Sequence, residues 1–284
     1  MCKLKWSSCL LRVLELAILV AGLLPFTAGI EVQRVVFSLT TIGKRIKKVK
    51  PVIDAIVEGQ TRPPDIVYLA VPPDVILPKW LTKYNSTTHR PGVLRILHMK
   101  EDYGPASKLL AALAEGGEQE PGTIIVYGDD DVLYGDTIVE QHVSAQQKSR
   151  VTSAFGSRRI GIGKGKRKEE LLEATGTISV PAAAVPNVVF RVKEMSPACR
   201  LSDDYWISHH LVSAGVQLKM LPNCEYDFER GIWPASCGKP FHTVKSIESI
   251  DALSKTVLDR DGRNAHRSGG DWRAQLKRYE ACQK

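Results

Sequence analysis

No internal repeat and no heptad pattern runs through the 284 residues, which excludes solenoids and coiled coils. No C-x-x-C pair occurs among the six cysteines, so the ligand spacing of a zinc finger or ribbon is missing. Aromatic residues make up only 7% and do not interleave the basic ones, and no nucleic-acid recognition motif is present. The formal charge of +8 therefore permits an anionic partner without pointing to nucleic acid. The N-terminal apolar run LAILVAGLLPFTAGI, residues 16–30, is shorter than the ~20 residues of a spanning helix, and lengthening it backward takes in Glu15. What remains is ordinary globular composition, 43% hydrophobic and 25% charged, at a length that suits one large α/β domain or two small ones.

Lys3, Lys5 and Arg12 precede that apolar run, and Thr27 and Gly29 near its end satisfy a small-residue cleavage rule. Residues 1–30 thus read as a secretory signal peptide or a retained type II membrane anchor. Either one delivers residues 31–284 to the secretory lumen, in Golgi or ER, or outside the cell. The triplet NST at Asn85 is a glycosylation acceptor. Cys199, Cys224, Cys237 and Cys282 suit two disulfides, with three connectivities open.

The stretch VVFSLTTI (35–42) reads as a buried strand, as do DIVYLAV (65–71), VLRILHM (93–99) and TIIVYG (123–128). Helical spacing follows the first strand, with Pro51 kinking or dividing it. YGPASKLLAALAEGG carries Pro105 suited to a first turn, and DTIVEQHVSAQQKS offers Asp136 as N-cap. Strands alternating with helices predict an open, mostly parallel sheet, whose ligands bind beyond the carboxyl ends of the strands. The second half is less regular. VTSAFG (151–156) and VQLKML (216–221) read as strands, and 157–170 as a mobile basic loop. LSDDYWISHHLVSAG (201–215) reads as a helix with Ser202 as N-cap and Gly215 as stop. A helical tail is expected over 247–284.

The fourth strand runs into Asp129, Asp130 and Asp131. Three adjacent carboxylates repel one another, and either a divalent cation or exposure to water resolves the repulsion. On an extended backbone, Asp129 and Asp131 share one side and Asp130 faces away.

The motifs VVFSLTTIGKRI, EDYGPASKL, IIVYGDDDVLY and LSDDYWISHHL, in this order, resemble the GT-A-fold nucleotide-diphospho-sugar glycosyltransferases, in a family-two-like branch. The resemblance covers about residues 35–215 and departs at Gly43, where TTIPxR has proline. It implies an α/β GT-A-like fold with a donor-binding half over about 35–150 and an acceptor or catalytic half over about 151–246. It implies a hexosyltransferase-like enzyme moving sugar from a nucleotide-sugar donor, a UDP-sugar, to a hydroxyl of a glycan, protein or lipid acceptor, with inversion. Its cofactor would be Mn2+ or Mg2+, neutralising the diphosphate leaving group. The D-x-D motif of the family maps onto the triplet. Asp129 would touch ribose or metal, Asp131 would be the principal metal ligand, and Asp130 belongs to the donor-binding set. Thr40 and Thr41 would meet the nucleobase, Asp102 the base or ribose, and Lys108 the diphosphate. His242 would complete the metal shell. The acidic pair maps to Asp203 and Asp204, with Asp204 as general base, kept ionised by the helix dipole, and Asp203 pointing elsewhere. Two rivals are a catalytically inactive sugar- or partner-binding protein, and a metal-dependent phosphotransferase using Asp129 as nucleophile.

Overall fold

The computed structural model describes residues 30–162, 169–174, 176–194, 203–224 and 234–240. Four β-branched runs form the strands β1 (Arg34–Thr40), β2 (Ile66–Val71), β3 (Leu94–His98) and β4 (Thr123–Gly128). Between them lie α1 (Lys50–Val57), preceded by a 3-10 turn at Gly43–Lys47, and α2 (Ser107–Ala114), entered through a 3-10 turn at Gly104–Ala106. Pro51 sits in the first turn of α1, where its missing N–H costs nothing, so it divides the basic segment as expected. Then follow β5 (Val132–Tyr134), α3 (Ile138–Lys148), β6 (Ser153–Gly156), β7 (Arg159–Ile162) and β8 (Glu169–Leu172). The described chain closes with β9 (Thr177–Pro181), α4 (Asp203–Ser213), β10 (Gln217–Met220) and β11 (Gly238–Pro240).

Seven strands make one sheet in the order β10-β6-β9-β4-β1-β2-β3. β4, β1, β2 and β3 run parallel, β10 is parallel to β6, and β9 is antiparallel to both β4 and β6. This is the expected open, mostly parallel α/β sheet, and it carries strands from before and after residue 150. The central strands are buried on both faces, which is why they read as unbroken apolar runs. Val36, Ile66, Tyr68, Ile125 and Tyr127 face the side of α2 and α4. Val35, Phe37, Leu39, Val67, Leu69, Ile124 and Val126 face the side of α1 and α3. The period-2 alternation splits each strand between two helical layers.

Several sequence expectations need correction. The N-cap of α3 is Thr137 and not Asp136, and it makes no side-chain cap. The backbone N–H of Ile138 finds the Gly135 carbonyl, and that of Val139 donates to the side-chain oxygen of Gln60 at 3.2 Å, so these first-turn donors are met without Asp136. The basic stretch expected as a loop begins and ends in the β7–β8 hairpin, paired Arg159 to Leu172 through Ile162 to Glu169. β9 was not expected at all. Ser202, Cys199, Cys282, the tail 247–284 and all but Ile30 of the N-terminal apolar run lie outside the described residues. No helix among the described residues is long and apolar enough to cross a membrane. Cys224 and Cys237 stand side by side, Cα–Cα 5.6 Å, with their sulfurs at bonding distance.

The turn that ends β4 leaves no room at Gly128. A Cβ there would run into the hydroxyl of Tyr134 and lie 2.6 Å from the carbonyl oxygen of Gly176. Gly128→Ala is expected to destabilise the fold by about 1–3 kcal/mol, the usual cost of overpacking. Urea denaturation checks this; a loss under ~0.5 kcal/mol would mean that the approach is not tight.

Candidate functional site

The carboxyl ends of β1, β2 and β4 lie on one edge of the sheet, because Thr40 pairs with Ala70 and Leu39 with Gly128 in parallel register. Asp129, Asp130 and Asp131 leave from that edge. They occupy the turn between β4 and β5, so strand alternation does not govern them. Tyr134 holds the turn by donating its hydroxyl to the backbone carbonyl of Asp129 at 2.6 Å.

The three carboxylates are shared between two cations. Asp129 Oδ1 accepts from Lys108 Nζ at 3.1 Å. Asp130, with its side chain only 3% exposed, is bonded to the guanidinium of Arg45. Asp131 lies 3.3 Å from the same Arg45 nitrogen, and its side chain is 54% exposed. Asp131 leans with Asp130 toward Arg45 while Asp129 meets Lys108, because the triplet lies in the turn and not on extended backbone.

Lys108 is 3% exposed and stands in the first turn of α2. Its Nζ lies 3.1 Å from Asp129 and 3.2 Å from Asp203 Oδ2. Burial works against its charge, yet Asp129, Asp203 and Asp204 together push its pKa well above the ordinary lysine value. Lys108 thus binds the acidic turn to the first turn of α4. The sequence reading placed Lys108 against the diphosphate; in the structure its ammonium is already engaged by two carboxylates.

The acidic pair opens α4. Asp203 is buried and meets Lys108, so it does not point elsewhere. Its carboxyl is raised by burial, against the pull of Lys108. Asp204 has one carboxyl oxygen shut from solvent and without a hydrogen bond. Burial, and then the neighbouring Asp203 charge, push Asp204 well above the usual carboxylate range. This direction runs against the expectation of an Asp204 kept readily ionised by the helix dipole. A dipole contributes ~0.3–1 kcal/mol, and desolvating a charge costs several.

The other candidates are scattered around this edge. Thr40 ends β1 and donates its hydroxyl to the Ala70 carbonyl at 3.3 Å. Thr41 is buried, and its hydroxyl makes no hydrogen bond. Asp102 is exposed and accepts from the backbone N–H of Gly104 at 2.8 Å, fastening the turn before α2. His242 lies outside the described residues. Sequence reasoning missed Arg45, although it lies within the quoted first-strand motif. It also missed Glu173, which is raised by burial, pairs with Arg158 at 2.8 Å and acts on Asp129 and Asp204 through its charge.

No group of three or more His, Cys, Asp or Glu encloses a metal position among the described residues. Mg2+-like ions do not need such a cage, since one or two carboxylates serve when substrate phosphates supply the rest. The half-exposed Asp131 and the second oxygen of Asp129 fit that use. Asp130 does not, because its free oxygen is shut from solvent.

No known family model and no curated protein matches the chain. Among solved structures it is similar to the mannosyltransferase PcManGT from Pyrobaculum calidifontis in complex with GDP-Man and Mn2+. Identity is 13% and the TM-score 0.49, over 94% of this chain and 76% of that one. It is also similar to S. aureus TarS, at 12% identity and TM-score 0.47, over 82% of this chain and 41% of that one. A 4-diphosphocytidyl-2C-methyl-D-erythritol synthase matches at 11% identity and TM-score 0.44, over 78% and 99%. At such identities and TM-scores the likeness says nothing of substrate or chemistry.

Two substitutions separate the roles of these charges. Lys108→Met is expected to cost about 3–5 kcal/mol in denaturant unfolding, because it leaves the buried Asp203 and the partly buried Asp129 uncompensated; a loss under ~1 kcal/mol would mean that the bridge does not hold α4 to the turn. Asp204→Asn is expected to raise the melting temperature at neutral pH. A carboxyl whose folded pKa is raised favours folding least where the unfolded chain has ionised, so its cost grows as pH rises from the ordinary Asp value through the raised one. The gain should vanish near pH 4, and a variant less stable than the parent at pH 7 would contradict the shift.

Proposed function

We propose that this protein is a metal-assisted glycosyltransferase. It moves a sugar from a nucleotide-sugar donor, in our reading a UDP-sugar, to a hydroxyl of a glycan, protein or lipid acceptor, with inversion. The observation that carries the reading is the joining of two acidic clusters at the carboxyl edge of a mostly parallel sheet. Asp129–Asp131 and Asp203–Asp204 come from opposite halves of the chain and meet through Lys108.

A donor diphosphate becomes more negative as the sugar leaves. Asp131 and the second oxygen of Asp129 would hold the Mn2+ or Mg2+, whose chemistry here is to neutralise that charge. Thr40 and Thr41 mark the strand end beside which the nucleobase would lie. Asp204 takes the proton of the acceptor hydroxyl. A raised proton affinity suits that task, since a general base works best with a pKa near the operating pH. Asp203 keeps Lys108 in place rather than reacting. The intact acidic clusters favour turnover over an inactive binding role.

The address we propose is the secretory lumen or the cell exterior. The N-terminal basic and apolar sequence supports it, as does the exposed Asn85 triplet. So does the pair Cys224 and Cys237, which an oxidising compartment would bond.

Incubating the protein with a panel of sugar nucleotides and Mn2+, and measuring nucleoside diphosphate release, tests the reading. Slow metal-dependent hydrolysis of at least one UDP-sugar is expected. Asp131→Asn should depress it by about 10²-fold or more with the fold intact. Undiminished Mn2+-dependent hydrolysis in Asp131→Asn would remove that residue from the metal site, and inertness toward every donor would remove the activity.

A further inference from the structure

Among the described residues, Arg45 is the cation at the acidic turn that both touches a carboxylate proposed to hold the metal and remains partly open to solvent. Its side chain is 26% exposed, against 4% for that of Lys108. The guanidinium is anchored on the buried Asp130 and stands 3.3 Å from the exposed Asp131. It rises from the 3-10 turn Gly43–Lys47, directly after β1, so both partners of the contact project from the same edge of the sheet. Asp130 cannot release Arg45 cheaply, because an ionised carboxylate with a side chain this buried would be left unpaired.

We propose that Arg45 makes the site selective for a metal–diphosphate pair over a bare divalent ion. The inference rests on the reading of this site as a nucleotide-sugar site. A divalent ion at Asp131 shares that carboxylate with a guanidinium that stays fixed on Asp130. Two like-signed charges then compete for one anion, and the bare ion binds weakly. A nucleoside diphosphate reverses the balance. Its phosphate oxygens give the ion new ligands and give Arg45 an anion suited to its planar fork. Arg45 thus turns metal binding and diphosphate binding into one coupled event, and by reciprocity each ligand tightens the other by the same factor.

Lys108 does not share this role. It is enclosed by Asp129 and Asp203, with no exposed face to offer a ligand. Asp130 is the pivot and not a ligand, since its second oxygen is sealed from solvent.

Mn2+ binding to the full chain, followed by electron paramagnetic resonance with and without UDP, tests the proposal without recourse to turnover. In the parent protein, bare Mn2+ should bind weakly and UDP should tighten it by about tenfold or more. Arg45→Gln should bind bare Mn2+ about tenfold more tightly, and the effect of UDP should shrink correspondingly. Arg45→Lys keeps the charge and should keep bare Mn2+ weak, which guards against a Gln variant that folds poorly. The proposal is overturned if the parent binds Mn2+ equally with and without UDP, or if Arg45→Gln leaves both affinities unchanged. Absence of any binding of Mn2+ or UDP, alone or together, would bring down the nucleotide-sugar reading itself. Bare Mn2+ bound tightly by the parent, with normal UDP-sugar hydrolysis, would remove only the role given to Arg45.

Discussion

The bridge made by Lys108 is the constraint on which the rest of this site depends. A buried ammonium is tolerated only where anions compensate it, and here the anions come from the β4–β5 turn and from the start of α4. Asp129 lies 21 residues and Asp203 lies 95 residues beyond Lys108 in the chain, so the two carboxylates are distant in sequence. Losing either carboxylate weakens the compensation of the buried lysine, and losing the lysine strands the buried Asp203. The first turn of α4 is thereby tied to the acidic turn by charge, while Trp206 and Ile207 tie the same helix to the core by apolar contact.

The sheet supplies the rigid frame for that bridge. Parallel pairing of β1 with β2 and β4 brings several strand ends to one edge, and burial on both faces keeps them there. At the edge the chain must turn sharply, and the device is a glycine under a tyrosine. Gly128 lets the Tyr134 hydroxyl come close, and that hydroxyl then takes the Asp129 carbonyl as its acceptor. The backbone beyond is fastened as well. Gln60 donates to the Gly135 carbonyl at 2.8 Å, and β11 pairs with β5 across Gly238 and Tyr134. Side chains that present carboxylates in a fixed arrangement need this kind of support beneath them.

Much of the frame was legible in the residues. The strand 123–128 was read to its ends, because TIIVYG is apolar throughout and is followed at once by charge. Pro105 marked a helix start because proline has no N–H to lose there, and Pro51, expected to kink or divide its segment, opens α1 for the same reason. β9 was not legible. Its segment TISVP ends in proline, and its place between β4 and β6, running against both, is decided by tertiary pairing. The acidic clusters were legible as clusters. Their partners were not, since Arg45 and Asp130 are 85 residues apart and nothing local in KRIK announces an ion pair with DDD. Alternation also failed at the triplet, because the strand had already ended.

The fate of Asp204 shows why local rules gave the wrong direction of proton affinity at the right place. A helix start favours an acid, and the sequence offers two of them. That preference is worth a fraction of a kcal/mol to about one. In the fold the same helix start faces a site already crowded with carboxylates, and an Asp204 oxygen has neither water nor donor. Lys108, the described cation that acts on the pair, is spent on Asp203 and Asp129. Burial and like charge therefore outweigh the dipole, and Asp204 holds its proton more tightly than a surface aspartate would. The arrangement costs stability, and such a cost is typical of sites shaped for chemistry rather than for folding. Two carboxyls adjacent in sequence are thus made unlike by one lysine: one is a fixed counter-charge, the other a group poised to take a proton.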